Sequence, residues 1–153
     1  MVGDQDLVTL VGLLFETYSG LMPKLTKGLE AEIGSVAQWM PILIRLTRSP
    51  GERLRMSDLA AHTGMSASGL TRAVDRLEER GLVERAICPT DARGSFAVLT
   101  PDGKRLMYPA LRRHAADVRE LLDGVLDDAE VDDLAALLRK LRDSVNPTAT
   151  QIT

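Results

Sequence analysis

Helix starts and stops crowd into the short stretch from Ser57 to Gly81, and that punctuation admits few folds. Ser57 is placed to cap a short helix, 58–63, which Gly64 stops. Ser66 is placed to cap a longer one, 67–80, which Gly81 stops. Within the longer helix Leu70, Val74 and Leu77 share one face, while Ser68, Gly69, Arg72, Arg76 and Arg80 lie largely outside it. Two strand-like runs follow, 82–87 and 95–99. The residues 88–94 that join them contain Pro, Asp and Gly and predict a hairpin loop of about seven residues.

The flanks are helical. Leu7, Leu10, Val11, Leu14 and Tyr18 recur at three- and four-residue steps within a segment spanning 5–33, which Pro23 should kink or break near Leu21 and Met22. Ser35 is a candidate cap for a helix at 36–48 carrying Trp39, Leu43 and Leu46, with distortion expected at Pro41. Thr100 and Pro101 open a helix that runs to about residue 125, with Pro109 as an interruption. Asp127 and Glu130 form a capping box, with Leu126 and Val131 as its hydrophobic staple, for a last helix whose stripe is Leu134, Leu137, Leu138 and Leu141.

Composition narrows the function classes. With 153 residues and 44 % hydrophobic content the chain can bury a core without disulfides. The lone Cys88 excludes a Cys-rich zinc cage, and His62 and His114 form no spaced pair, so no metal or other cofactor is expected. The apolar runs are too short to span a membrane. Asp4 and Asp6 stand where a signal peptide would carry Lys or Arg, so a cytoplasmic location is expected. No nucleophile elbow, zinc-protease or phosphate-loop pattern occurs, which argues against an enzyme. Few aromatics argue against a stacking platform for single-stranded RNA. The net charge of −3 hides a division: residues 45–113 hold thirteen Lys/Arg against eight Asp/Glu. A basic middle between acidic ends suits a domain that meets phosphate and flanks that do not.

Short helix, turn, longer helix and hairpin make the layout of a winged helix-turn-helix. The longer helix is capped, apolar inside and small or polar at its first outward positions, as major-groove entry requires. The hairpin then sets Arg93 where a wing tip would reach the minor groove.

The same residues carry a resemblance. The run from Leu54 to Ala60, Met65 to Arg72, and Asp75 to Arg85 (sequence DRLEERGLVER) resembles the MarR family of bacterial transcription regulators. So does the wing signature Asp91-Ala92-Arg93 followed by Leu99-Thr100-Pro101-Asp102-Gly103. The likeness spans about residues 35–105 at motif level. It implies a mainly α fold with a small β wing: a winged helix-turn-helix at 35–105 flanked by dimerisation helices at 1–34 and 106–146; the polar residues at 147–153 are expected to form a flexible tail. It further implies a homodimer, a repressor or other regulator, bound to a pseudo-palindromic operator in double-stranded DNA. Ser66, Ser68, Thr71, Arg72 and Arg76 fall on recognition-helix positions, Arg93 on the wing arginine, and Asp91 on a residue that braces the wing by pairing with an arginine. Pro23, Pro41 and Pro109 depart from the pattern in the helices that make the dimer and the effector pocket.

Several positions keep two readings. Arg72 and Arg76 are DNA contacts or solvated arginines paired with Asp75 and Glu79. Tyr18, Met22, Trp39, Met40 and Tyr108 line a cavity for a small-molecule effector or belong to the core. Cys88 is a redox switch or a small residue at a strand end. His114, beside Arg112 and Arg113, meets an anionic ligand or is an exposed helix histidine, and His62 is expected to lie on the outer face of its helix. A protein-interaction module with a degenerate winged helix is the competing class, against which Arg72 and Arg93 speak.

Overall fold

A computed structural model describes residues 3–88 and 91–147, with side chains given outside 88 and 91–93. Helix α1 (Asp4–Ile33) leads through a 3-10 turn (Gly34–Trp39) into α2 (Met40–Thr47). A short strand β1 (Arg53–Arg55) runs straight into α3 (Met56–Thr63), and α4 (Ala67–Glu79) follows. Strands β2 (Val83–Cys88) and β3 (Asp91–Leu99) form the wing, then α5 (Pro101–Leu122) and α6 (Asp128–Val145) close the described chain. The fold is mainly helical with one small antiparallel sheet of order β1-β3-β2. It is a winged helix between long helices.

The head is built around side chains that lose all contact with water. Leu43 and Leu46 of α2, Leu59 of α3, Leu77 and Val74 of α4, Ala97 of β3 and Met107 of α5 are each fully buried. Burying each large aliphatic of this set contributes about 1.5–3 kcal/mol. The expected apolar face of α4 is the one buried, with Leu70 at 1 % exposure. Ser66 Oγ accepts the Gly69 amide (3.1 Å) and so caps α4 as expected. Gly64 ends α3 with φ +67°, a left-handed conformation costly for any residue with a Cβ.

Six details differ from the sequence expectations. Helix α1 runs unbroken through Pro23, and α5 through Pro109. In both cases the proline and the residue four before it, Ser19 or Arg105, are exposed, so solvent can satisfy the carbonyl that lost its amide. Pro41 causes no distortion inside a helix, because the chain forms a 3-10 turn to Trp39 and α2 starts at Met40, leaving Pro41 in the first turn. Arg55, not Ser57, is the N-cap of α3, and the Ser57 hydroxyl bonds Asp58 instead (3.3 Å).

The wing strands are longer than their apolar pattern suggested. They reach Cys88 and restart at Asp91, with a register shift between Ile87 and Cys88, so most of the expected seven-residue loop is strand; positions 89–90 lie outside the described residues. Finally, β1 pairs Leu54 with Ala97, a three-residue strand too short for periodicity to reveal. The capping box of Asp127 and Glu130 is present at the start of α6.

Candidate nucleic-acid interface

The outward face of α4 carries Ser68, Thr71, Arg72, Asp75, Arg76 and Glu79, all exposed. Its first turn is small because the cap demands it: a Cβ on Gly69 would lie 3.0 Å from Ser66 Oγ. Ser66 spends one lone pair on the cap, and its hydroxyl lies 3.4 Å from that of Ser68. Thr71 donates its hydroxyl to the Ala67 carbonyl (2.9 Å), which leaves its methyl and an oxygen lone pair outward.

The two arginines of the sequence expectation separate here. Arg76 is paired with Glu79 at 2.9 Å, on a pair so open that it contributes little to stability. Arg72 makes no ion pair or hydrogen bond among the described residues, and stands free on the outer face. Arg80 turns away from that face and lies over the Trp39 ring, 5.1 Å from its centre. The groove between α4 and the 3-10 turn, about 490 Å³, is lined by Trp39, Gln38, Arg72 and Arg76.

On its other flank α4 is tied to the wing by a residue that the sequence reading passed over. Arg85 of β2 reaches Asp75 at 2.8 Å, pairs with Glu78, and donates to the Thr71 carbonyl at 3.3 Å; its own amide donates to Glu78 at 2.8 Å. The side chains of Arg93, Asp91 and Cys88 lie outside the described residues. The strand bearing Arg93 and Asp91 continues β3, so both sit at the tip of the hairpin.

The effector-pocket candidates divide. Tyr18, Met22 and Met40 line one cavity of about 570 Å³ between α1, α2 and α3. Trp39 lies outside it, in the α4 groove, and Tyr108 donates to Glu52 on the far side of α5. The cavity also takes in Arg45, Arg48, His62 and His114. His62 is buried rather than on an outer face, and His114 is half-buried with its Nδ1 out of solvent and unbonded among the described residues. Burial, then the neighbouring charges of Arg48 and Arg142, hold the Arg45 guanidinium below its ordinary value. The i, i+3 spacing of Arg45 and Arg48 was the signal for this cationic wall.

Among the described residues no helix is long and apolar enough to cross a membrane, and no three His, Cys, Asp or Glu stand together as a metal site.

Comparison with known proteins agrees with the geometry. The sequence profile of the MarR family matches residues 36–94, from the 3-10 turn to the wing. The chain is 32 % identical over 77 residues to the HTH-type transcriptional regulator MhqR of Bacillus subtilis (strain 168), a stretch covering 50 % of this chain and 52 % of MhqR. The chain thus spans about half the length of that curated relative. Likeness in three dimensions runs further. Sco3205, a MarR family transcriptional regulator from Streptomyces coelicolor solved in complex with DNA, is similar with a TM-score of 0.77 at 28 % identity, over 94 % of this chain and 90 % of that one. AbsC, a MarR family transcriptional regulator from the same organism, is similar with a TM-score of 0.77 at 32 % identity, over 95 % of this chain and 97 % of its own. With winged head, long flanking helices and near-complete coverage of AbsC in agreement, the chain belongs to the MarR family.

Proposed function

We propose that the chain is a sequence-specific transcription regulator that binds duplex DNA as a homodimer on a pseudo-palindromic operator, acting as a repressor released by a small-molecule effector. The observation that carries this reading is the outer face of α4. It is free of the core, capped by Ser66, small at Ser68 and armed with an unpaired Arg72, next to a two-stranded wing. Sco3205, of the same fold, was solved with DNA.

The flanks support a second copy. Leu7, Leu10 and Phe15 of α1 are each at least half exposed, as is Leu137 of α6, and α6 buries no residue at all. Two helices with unpartnered apolar faces at the two ends of one chain suit a shared dimer interface. Two heads joined this way read half-sites about 34–36 Å apart. The cavity, lined by Met22, Leu29 and Met40 together with Arg45 and Arg48, suits a small amphipathic anion. It lies where α1 meets the head, so its occupant bears on how the two are held.

The test is selection of duplexes from a random-sequence pool, with light scattering of the free protein and of the complex. A two-fold symmetric consensus bound by two chains supports the reading. Retention of no duplex, or of one half-site by one chain at full affinity, contradicts it.

A further inference from the structure

The charges on α4 do not favour DNA by themselves. Arg72 and Arg76 of α4 are outnumbered by Asp75, Glu78 and Glu79, and only with Arg80, the residue that ends the helix, does the segment become neutral. Arg76 and Glu79 cancel each other, and Arg80 is turned onto Trp39. What remains is Arg72 facing outward, with the Asp75 carboxylate three residues along the same face and Glu78 one turn beyond it. Asp75 stands three residues from Arg72, a spacing at which an acid and an arginine on one helix meet and pair. It is also half exposed on the same outer face, where a phosphate strand would pass.

We infer that Arg85 is a positioning residue for DNA recognition, which holds Asp75 and Glu78 neutralised so that Arg72 stays free for the duplex. The inference rests on α4 being the reading helix. Arg85 engages both carboxylates with one guanidinium, whose planar fork of five donors can serve several acceptors at once. Its remaining bond to the Thr71 carbonyl anchors the fork one turn before Asp75. Because Arg85 belongs to β2, the same contacts set the wing against the reading helix. Without Arg85, Asp75 turns to Arg72, and the uncompensated charges of Asp75 on the outer face and half-buried Glu78 beneath it repel the DNA polyanion.

The test uses the full chain and the duplex that the wild type selects from a random-sequence pool. Arg85→Gln should weaken binding about tenfold or more, as expected for an uncompensated like-charge contact. Adding Asp75→Asn and Glu78→Gln to R85Q should restore most of that loss. A brace that acts by packing alone predicts no recovery, because the amides do not rebuild the fork. Thus a triple variant as weak as R85Q overturns the inference, and so does R85Q binding at wild-type strength. Should R85Q unfold at the assay temperature, D75N/E78Q in the presence of Arg85 carries the test. It frees the Arg85 charge and should tighten binding severalfold with a steeper salt dependence; unchanged affinity overturns the inference. Wild-type protein that selects no duplex overturns the DNA reading itself, and the inference with it.

Discussion

Gly103 packs so tightly beneath Leu82 that a Cβ on it would collide with the Leu82 carbonyl oxygen and come within 2.8 Å of Leu99 Cδ1. This close approach explains why a Leu-Thr-x-x-Gly sequence follows the wing. Thr100 donates its hydroxyl to the Gly81 carbonyl (2.6 Å) and accepts the Gly103 amide (3.0 Å), while its own amide donates to Leu82 (3.1 Å). The start of α5 is thereby pinned to the end of α4, which fixes α4 relative to the flanking helix. Gly103→Ala should destabilise by about 1–3 kcal/mol through overpacking, more if the backbone cannot shift. Thermal denaturation checks this, and a melting temperature equal to the wild type would show that the contact is loose.

Leu70→Ala tests the inner face of α4. Leu70 is 1 % exposed, and removing its side chain should cost about 2–5 kcal/mol. An unchanged denaturation midpoint would mean that α4 is rotated from the face described.

Acid should weaken the joint between α5 and the turn that leads into β1. Glu52 accepts hydrogen bonds from Lys104 and, more weakly, from Tyr108, and these hold its carboxyl below the ordinary value. A depressed folded-state pKa contributes stability that is present above the unfolded value, about 4.3, and is lost as pH falls through the folded one. Glu52→Gln should therefore flatten the fall of melting temperature below about pH 4.3. A variant whose acid limb matches the wild type would show that the cluster is not coupled to folding.

The winged-helix head was legible in the sequence because its signals are local. Ser66 and Thr100 cap through their own third neighbours, and the stripe of Leu70, Val74 and Leu77 spans one helix. What the sequence concealed depends on partners distant along the chain. Arg85 meets Thr71 fourteen residues away, and His62 shares a cavity with Tyr18 and His114 from two other helices. The prolines misled for a different reason: Pro23 and Pro109 interrupt a pattern on paper, but exposed helix carbonyls tolerate the missing amide. Arg76 and Arg72 looked equivalent by spacing, and only the geometry shows Arg76 taken by Glu79 and Arg72 unengaged.

The cationic wall of the cavity predicts selectivity among small anions. Arg48→Ala should weaken release from DNA by an aromatic carboxylate, such as salicylate used as the probe, and leave DNA affinity without the probe close to the wild type. Arg48 lines the cavity on α2, away from the outer face of α4, so its effect should appear only with the anion. Equal responses of variant and wild type would place effector binding elsewhere.

The most direct measurement is affinity against salt concentration for wild type and Arg72→Ala, on the selected duplex and on a scrambled one. Arg72 is the one arginine of the outer face of α4 left unengaged among the described residues, and a base-reading arginine contributes about 1–3 kcal/mol of discrimination. The variant should lose preference at one symmetric pair of operator positions while keeping most of its affinity for scrambled DNA. A variant that keeps the full sequence preference of the wild type would contradict the assignment of α4 as the reading helix.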